Sequence, residues 1–375
     1  LTIASYFNDN IAPERLLRYL EASTGERIIA GETLIFFDEI QSCERALTSL
    51  KYFCEETPEF HIAAAGSLLG VAINRQHYSF PVGKVETITM YPLDFEEYLW
   101  ARGKEFLASE IRSAFETMIA LPDALHAEAT ELYREYLLIG GMPASINAFL
   151  RSGSFLDVSL VQNEILDNYI ADMAKYATNA DSVKIRACYN SIPAQLAKDN
   201  RKFQYKVVQK GGSASLFGAS IEWLYLAGVV LKCQRISQAF EPISVYADLS
   251  AFKLYMGDVG LLTAKSGLSQ QTVLSGEGNT FMGAVTENYV AQQLAANGHD
   301  LYYWESNNTA ELDFVLQSGN QVMAIEVKKG EHVRSRSLNL FIGTYHPSCA
   351  IRLSLKNFGE KDGLKSVPLY AAFCI

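Results

Sequence analysis

The sequence predicts an α/β chain built in several parts, on three observations. Short apolar runs at Thr33–Phe37 and His61–Ala65 flank a helical segment at Ala46–Glu56, the pitch of a parallel strand–helix–strand unit. From Asp94 to about Lys198 the apolar spacing is helical. Strand patterns return at Val229–Cys233 and again at Asp300–Trp304, Glu311–Leu316 and Val322–Lys328. A length of 375 residues allows two or three domains.

The elements follow in order. Pro13 stands where a first helical turn tolerates proline, opening a helix over Pro13–Leu20. Thr33-Leu-Ile-Phe-Phe37 is too short for a buried helix and apolar enough for a buried parallel strand. His61–Ala65 reads as a second buried strand and Val85–Met90 as a third. Gly140-Gly141-Met142-Pro143 is the sharpest break in the helical stretch. Ser191–Lys198 reads as a short helix. Ser213–Ala227 reads as a longer one that runs through Gly228 into Val229–Cys233, the way the long helix of a winged helix meets its wing. The polar stretch Ser266–Thr280 is the best linker, and Gly283–Asn297 the helix after it.

Composition narrows the function classes. Apolar residues make up 49% and charged ones 20%, an ordinary globular balance. No apolar run approaches the roughly 20 residues of a membrane span, and no signal-peptide pattern opens the chain. The six cysteines form no CxxC pair and the six histidines do not cluster beside them, so neither a zinc site nor a disulfide framework is expected and a cytoplasmic setting is. The net charge of −10 is uneven. Residues 1–150 carry 22 acidic and 11 basic side chains. Residues 182–235 carry nine basic ones (Lys184, Arg186, Lys198, Arg201, Lys202, Lys206, Lys210, Lys232, Arg235) against Asp199 and Glu222. That segment is a candidate surface for DNA, with Lys206, Lys210, Ser213 and Ser215 at the entrance of the long helix. A solvated basic face, or a patch that docks on the acidic first region, would look the same.

Two constellations carry chemistry. The first is Asp38-Glu39 at the end of the apolar strand, the arrangement of a Walker B strand. Ligands bind outside the carboxyl ends of parallel strands. There Asp38 would hold Mg²⁺ through its water shell, and Glu39 would polarise the water that attacks a γ-phosphate. Ser67, ending the neighbouring strand, could sense that phosphate. The partner motif GxxxxGK[ST] is missing: Gly83-Lys84 is followed by Val85 and Gly103-Lys104 by Glu105.

The second lies near the other end. Asp313 is followed thirteen residues later by Glu326-Val327-Lys328, and strand alternation puts Glu326 and Lys328 on one face. Phosphodiester cleavage needs carboxylates that hold Mg²⁺ and gains from a lysine that steadies the developing charge. The competing reading is an ordinary salt-bridged strand edge. With Glu287 on the preceding helix, the set resembles the PD-(D/E)xK nuclease fold. That resemblance makes Asp313 and Glu326 metal ligands, Lys328 the catalytic lysine and Glu287 a supporting ligand, although Leu312 stands where the pattern has proline.

Blocks in order along nearly the whole chain resemble the AAA-type ATPases that carry a DUF4143 C-terminal region. They are Thr33-Leu-Ile-Phe-Phe-Asp-Glu-Ile-Gln41, Ala65-Gly-Ser-Leu-Leu-Gly70, Phe80-Pro-Val-Gly-Lys-Val85, Tyr91-Pro-Leu-Asp-Phe-Glu-Glu-Tyr98, Gly140-Gly-Met-Pro143 and Phe252-Lys-Leu-Tyr-Met-Gly-Asp-Val-Gly-Leu-Leu262. The resemblance implies a partial P-loop ATPase core without Walker A (1–125), a helical lid (126–190), a winged helix (191–265) and a nuclease-like α/β domain (280–375). It gives Asp38 the Mg²⁺, Glu39 the role of base and Ser67 that of sensor, with ATP and Mg²⁺ as cofactors. Lys84 or Arg75 could touch phosphate, from this or a neighbouring subunit. It also implies a phosphate loop upstream of Leu1, so that the chain is expected to be truncated. The expected function is ATP binding and Mg²⁺-dependent hydrolysis in the full-length protein, coupled to a DNA-directed or remodelling task. The alternatives are a DNA-binding protein or Mg²⁺-dependent nuclease using the Asp313, Glu326 and Lys328 site, and a scaffold with neither activity. ATPases of this kind work as rings, so a homo-oligomer belongs to the expectation.

Overall fold

The computed structural model describes residues 3–66, 81–276, 279–306, 310–330 and 336–375. The chain is a mixed α/β protein that divides into two compact units, Leu1–Met90 and Tyr91–Ile375.

In the first unit, helix α1 (Pro13–Thr24) starts on Pro13 and stops where Gly25 turns left-handed at φ 76°, its N–H bonding Glu21. Strand β1 (Leu34–Phe37), helix α2 (Glu44–Glu56) and strand β2 (His61–Ala64) follow. β1 and β2 pair in parallel, Leu34 opposite His61 and Phe37 opposite Ala64. The apolar faces of α1 and α2 close on Ile35 and Ile40 through Leu16, Leu20, Leu47 and Phe53. The expectation of strands buried on both sides fails here. Leu34 is 61% and Phe36 58% exposed, because among the described residues one face of the pair is packed by helices and the other is bare. Val85–Met90 is not a third strand. The stretch follows a turn at 82–84 and makes no ladder bonds, and Ile88 and Met90 lie in solvent.

The second unit opens with a run of helices. Helices α3 (Phe95–Ala101), α4 (Glu105–Thr117), α5 (Asp123–Ile139), α6 (Pro143–Ser152), α7 (Phe155–Tyr176) and α8 (Asn179–Leu196) confirm the helical stretch. Asp94 starts α3 with a capping box that includes Glu97. The short helix expected at Ser191–Lys198 is the end of α8. The brief α9 (Tyr205–Val208) and α10 (Ala214–Leu226) lead into strands β3 (Val230–Ile236) and β4 (Ala247–Met256), an antiparallel pair.

After helices α11 (Val259–Ser266) and α12 (Gln270–Ser275) comes α13 (Met282–Ala296). Strands β5 (Tyr302–Ser306), β6 (Ala310–Ser318) and β7 (Gln321–Val327), helix α14 (Arg336–Tyr345) and strands β8 (Cys349–Ser354), β9 (Gly359–Lys361) and β10 (Leu364–Pro368) complete it. All eight strands form one mixed sheet in the order β4-β3-β5-β6-β7-β8-β10-β9. The segments 191–265 and 280–375 therefore share a sheet, joined where β3 runs parallel to β5. The stretch expected as a linker is held too: α12 lies within it and Val273 is fully buried in the main core.

Helix α13 is the centre of this unit. All but two of its 15 residues are buried, including Glu287, Asn288, Gln292 and Gln293. Each amide serves the backbone of a sequence block far away. Phe95 N–H donates to Gln293 Oε1 at 2.8 Å. Asn288 accepts from Met256 N–H at 2.7 Å and donates to Met256 O at 3.0 Å. Val259 N–H donates to Gln292 Oε1 at 2.8 Å. A buried backbone group left without such a partner costs about 1–3 kcal/mol, so these amides select one arrangement of the segments.

The glycine blocks close on the same helix. Asp258 is buried and accepts from Gly141 N–H at 2.6 Å and Leu261 N–H at 2.8 Å. Gly140 has φ 73°, and a Cβ there would stand 2.3 Å from Asp258 Oδ1; one on Gly141 would stand 2.0 Å from the Leu93 carbonyl oxygen. Only glycine admits that approach. Burial lifts the Asp258 carboxyl to about 6, against the lowering effect of its N–H donors.

Two candidate carboxylate sites

Asp38 and Glu39 occupy the turn that leaves β1. Both ends of this turn are tied to the end of β2. Ala65 N–H donates to Phe37 O at 2.8 Å, and Ile40 N–H donates to Ala65 O at 3.0 Å. Glu39 has the left-handed backbone of φ 52° and ψ 39°. An L-residue accepts that conformation at a cost of about 1–2 kcal/mol, and such residues cluster at functional sites. Both side chains are exposed. Asp38 Oδ1 accepts from Glu39 N–H at 3.0 Å, and Glu39 Oε2 accepts from Gln41 Nε2 at 2.6 Å. Neither carboxylate has a cationic side chain within salt-bridge distance among the described residues. Lys84, a candidate phosphate contact, is paired instead with Glu55 at 3.0 Å. Ser67 and Arg75 lie outside the described residues.

The carboxylates near the other end are held differently. Glu287 is 1% exposed, and its Oε1 accepts from Lys253 Nζ at 2.9 Å and from the Tyr255 hydroxyl. Its Oε2 meets Arg201, which passes Gly283 where a Cβ would lie 2.9 Å from the guanidinium. Lys253 has no exposed surface, reaches Glu311 at 2.6 Å as well, and lies 5.0 Å from the centre of the Tyr303 ring. Glu326 is 3% exposed, with Lys328 Nζ at 3.0 Å and Arg352 Nε at 3.7 Å. Arg352 comes from the register, since Glu326 stands opposite it where β7 runs parallel to β8.

Asp313 has a further duty. The β5–β6 ladder changes register between Tyr302 and Trp304, and the β6–β7 pairs run from Ser318 to Phe314. Just beyond, Asp313 Oδ2 accepts the Val327 N–H at 2.7 Å and so replaces a ladder bond. Asp313 and Glu326 are brought to one neighbourhood, whereas Glu287 belongs to the Lys253 cluster. Among the described residues no three acidic, histidine or cysteine side chains converge as a metal would require.

Five of the nine basic side chains of the segment pair with carboxylates, while Arg186, Lys206 and Lys210 are exposed. Arg201 and Lys202 pair with Glu287 and Glu305. Arg235 pairs with Asp248 at 2.5 Å, Lys232 with Glu222 at 3.8 Å and Lys184 with Asp181 at 3.9 Å. The exposed side of α10 offers Ser215, Ala219, Glu222 and Tyr225, without a cation.

Sequence reasoning missed Lys253, Arg201 and Arg352. The one available signal was a lysine inside the apolar run Phe252–Met256. Arg201 and Arg352 are brought in by register and packing alone.

Comparison with known proteins fits this layout. Residues 4–99 match the AAA domain family, residues 282–372 match DUF4143 (a domain of unknown function), and residues 130–272 match a second domain of unknown function, DUF8612. Uncharacterized proteins of Mycobacterium bovis and Mycobacterium tuberculosis are 35% identical over 79 residues, which is 20% of this chain and 18% of each relative. The chain thus aligns with under a fifth of those relatives' length. Among solved structures, a Walker-type ATPase of Pyrococcus abyssi is similar at 15% identity and TM-score 0.40, over 67% of this chain and 66% of that one. A Vibrio cholerae protein is similar at 12% identity and TM-score 0.20, over 96% and 77%. An AAA domain and a DUF4143 domain are therefore present in this chain.

Proposed function

We propose that the first unit supplies the acidic half of a Mg²⁺–ATP site, in a protein that binds and hydrolyses ATP. The observation that carries this is the Asp38-Glu39 turn: two exposed carboxylates without cationic partners, pinned at the carboxyl end of a parallel strand pair inside the AAA match. Such a pair fits a hydrated divalent ion, because its charge is uncompensated and water has access. Asp38 would hold Mg²⁺ through water, and the ion would neutralise the phosphate charge. Glu39 would orient the attacking water, and its left-handed backbone turns it away from the apolar strand. The phosphate cradle, GxxxxGK[ST], would come from outside these 375 residues.

The test is calorimetry and turnover with MgATP on the full reading frame that contains this chain. ATP binding is expected, with Glu39→Gln keeping the affinity and losing about 10²–10⁴-fold in kcat. Absence of ATP binding would overturn the proposal in favour of a scaffold.

The segment 179–256 supports a winged-helix reading. Helices α8, α9 and α10 precede the β3–β4 hairpin, and Phe203 N–H bonds Phe252 O at 2.9 Å like the short strand of that module. Helix α10 itself carries no cation, so DNA contact would fall to the exposed Lys206 and Lys210 before it.

A further inference from the structure

We infer that the DUF4143 carboxylates hold no divalent ion, because the protein's own cations stand where such an ion would act. The unit has the order helix, three strands, helix, strand (α13, β5, β6, β7, α14, β8), and Asp313, Glu326 and Lys328 keep the spacing of a metal-dependent nuclease. The charges do not fit one. Mg²⁺ requires oxygen ligands converging at about 2.1 Å in an octahedron. Here Glu287 and Glu311 converge on the ammonium of Lys253, at 2.9 and 2.6 Å. With Arg201 on the second oxygen of Glu287, two carboxylates face two cations. Around Glu326 two cations gather again, Lys328 at 3.0 Å and Arg352 at 3.7 Å, while Asp313 is held by Val327 N–H.

A divalent ion entering the Lys253 cluster would add two positive charges to a neutral set in a weakly screened interior. It would have to displace Lys253, which has no exposed surface and whose ammonium lies 5.0 Å from the centre of the Tyr303 ring. Asp313 would also have to release Val327 N–H, which has replaced a ladder bond with that contact. The nuclease-like arrangement is kept as internal salt clusters that join β4, β6 and α13, and the unit is a structural module without phosphodiester chemistry.

The experiment uses the full chain with Asp38→Asn, which takes the first unit's carboxylate out of the measurement. MnCl₂ is titrated by calorimetry into this variant and into the same variant carrying Asp313→Asn and Glu326→Gln. Equal binding isotherms are expected. Weakening of about tenfold or more in the second variant, the usual cost of disturbing a metal's ligand shell, overturns the inference. A second measurement needs no extra carboxylate change. Supercoiled plasmid with MgCl₂ is expected to remain intact with the chain as it does with Lys328→Ala, and cleavage by the chain that Lys328→Ala abolishes overturns the inference as well.

Discussion

Two sets of carboxylates, one in each unit, carry a catalytic spacing in the sequence and meet opposite fates. Asp38 and Glu39 lie in solvent on a pinned turn with no cationic partner among the described residues. Glu287 and Glu326 are almost wholly buried, each between two cations. Spacing alone does not separate a binding carboxylate from a structural one. The separating property is uncompensated charge with access to water. A buried carboxylate must be paired to be tolerated, and once paired it has little left to offer a metal.

Several experiments would break or sharpen this contrast. The largest effect is expected from Lys253→Met, which leaves Glu287 and Glu311 buried with one cation fewer. Urea denaturation should show the second unit losing about 3–5 kcal/mol. A loss below about 1 kcal/mol would mean that the cluster is not a structural element.

Next in size is a pH effect at Asp258. Its folded carboxyl titrates at about 6 against 3.8 for an ordinary aspartate, so the folded state holds the proton more tightly than the unfolded one. The resulting stability is complete below about pH 4 and lost as pH rises through about 6. It amounts to about 3 kcal/mol at full size. Melting between pH 4 and 7 should show this component, and Asp258→Asn should remove it while lowering stability throughout.

Gly141→Ala is expected to cost more than about 2 kcal/mol, because its new methyl would meet the Leu93 carbonyl oxygen, which is backbone and cannot swing away. A shift in melting temperature smaller than that of an exposed-site alanine would refute the tight packing at this knot. The smallest structural effect belongs to Asp38→Asn, within about 0.5 kcal/mol by the same denaturation, since its side chain is exposed. Its effect should appear instead in nucleotide binding by the full reading frame, as loss of the Mg²⁺ dependence.

Much of the local structure was legible. Pro13, Gly25 and the Asp94–Glu97 capping box mark helix boundaries by local chemistry, and the helices and strands fall within a few residues of their apolar patterns. Val85–Met90 was misread because an apolar alternation says nothing of a strand partner, and none is present among the described residues. The 265–280 boundary hid a shared sheet because strand order depends on pairings far apart in sequence. At the sites, the carboxylates were legible and their partners were not. Arg201, Lys253 and Arg352 reach Glu287 and Glu326 across separations that no motif spans.

By itself the sequence determined the α/β character, the resemblance to an AAA domain and a DUF4143 domain through its ordered blocks, and the Asp38-Glu39 turn at a strand end. These rest on periodicity and on residues that act on their immediate neighbours. Only the tertiary structure decided that Glu287, Glu311 and Glu326 are neutralised from within. It also decided that the blocks at 91–98 and 252–262 meet on the buried amides of one helix, and that the block at 140–143 joins them through Asp258. The physical reason is that charge compensation and backbone hydrogen bonding in a core are set by which segments come together, and that choice is made by the packing of the whole unit.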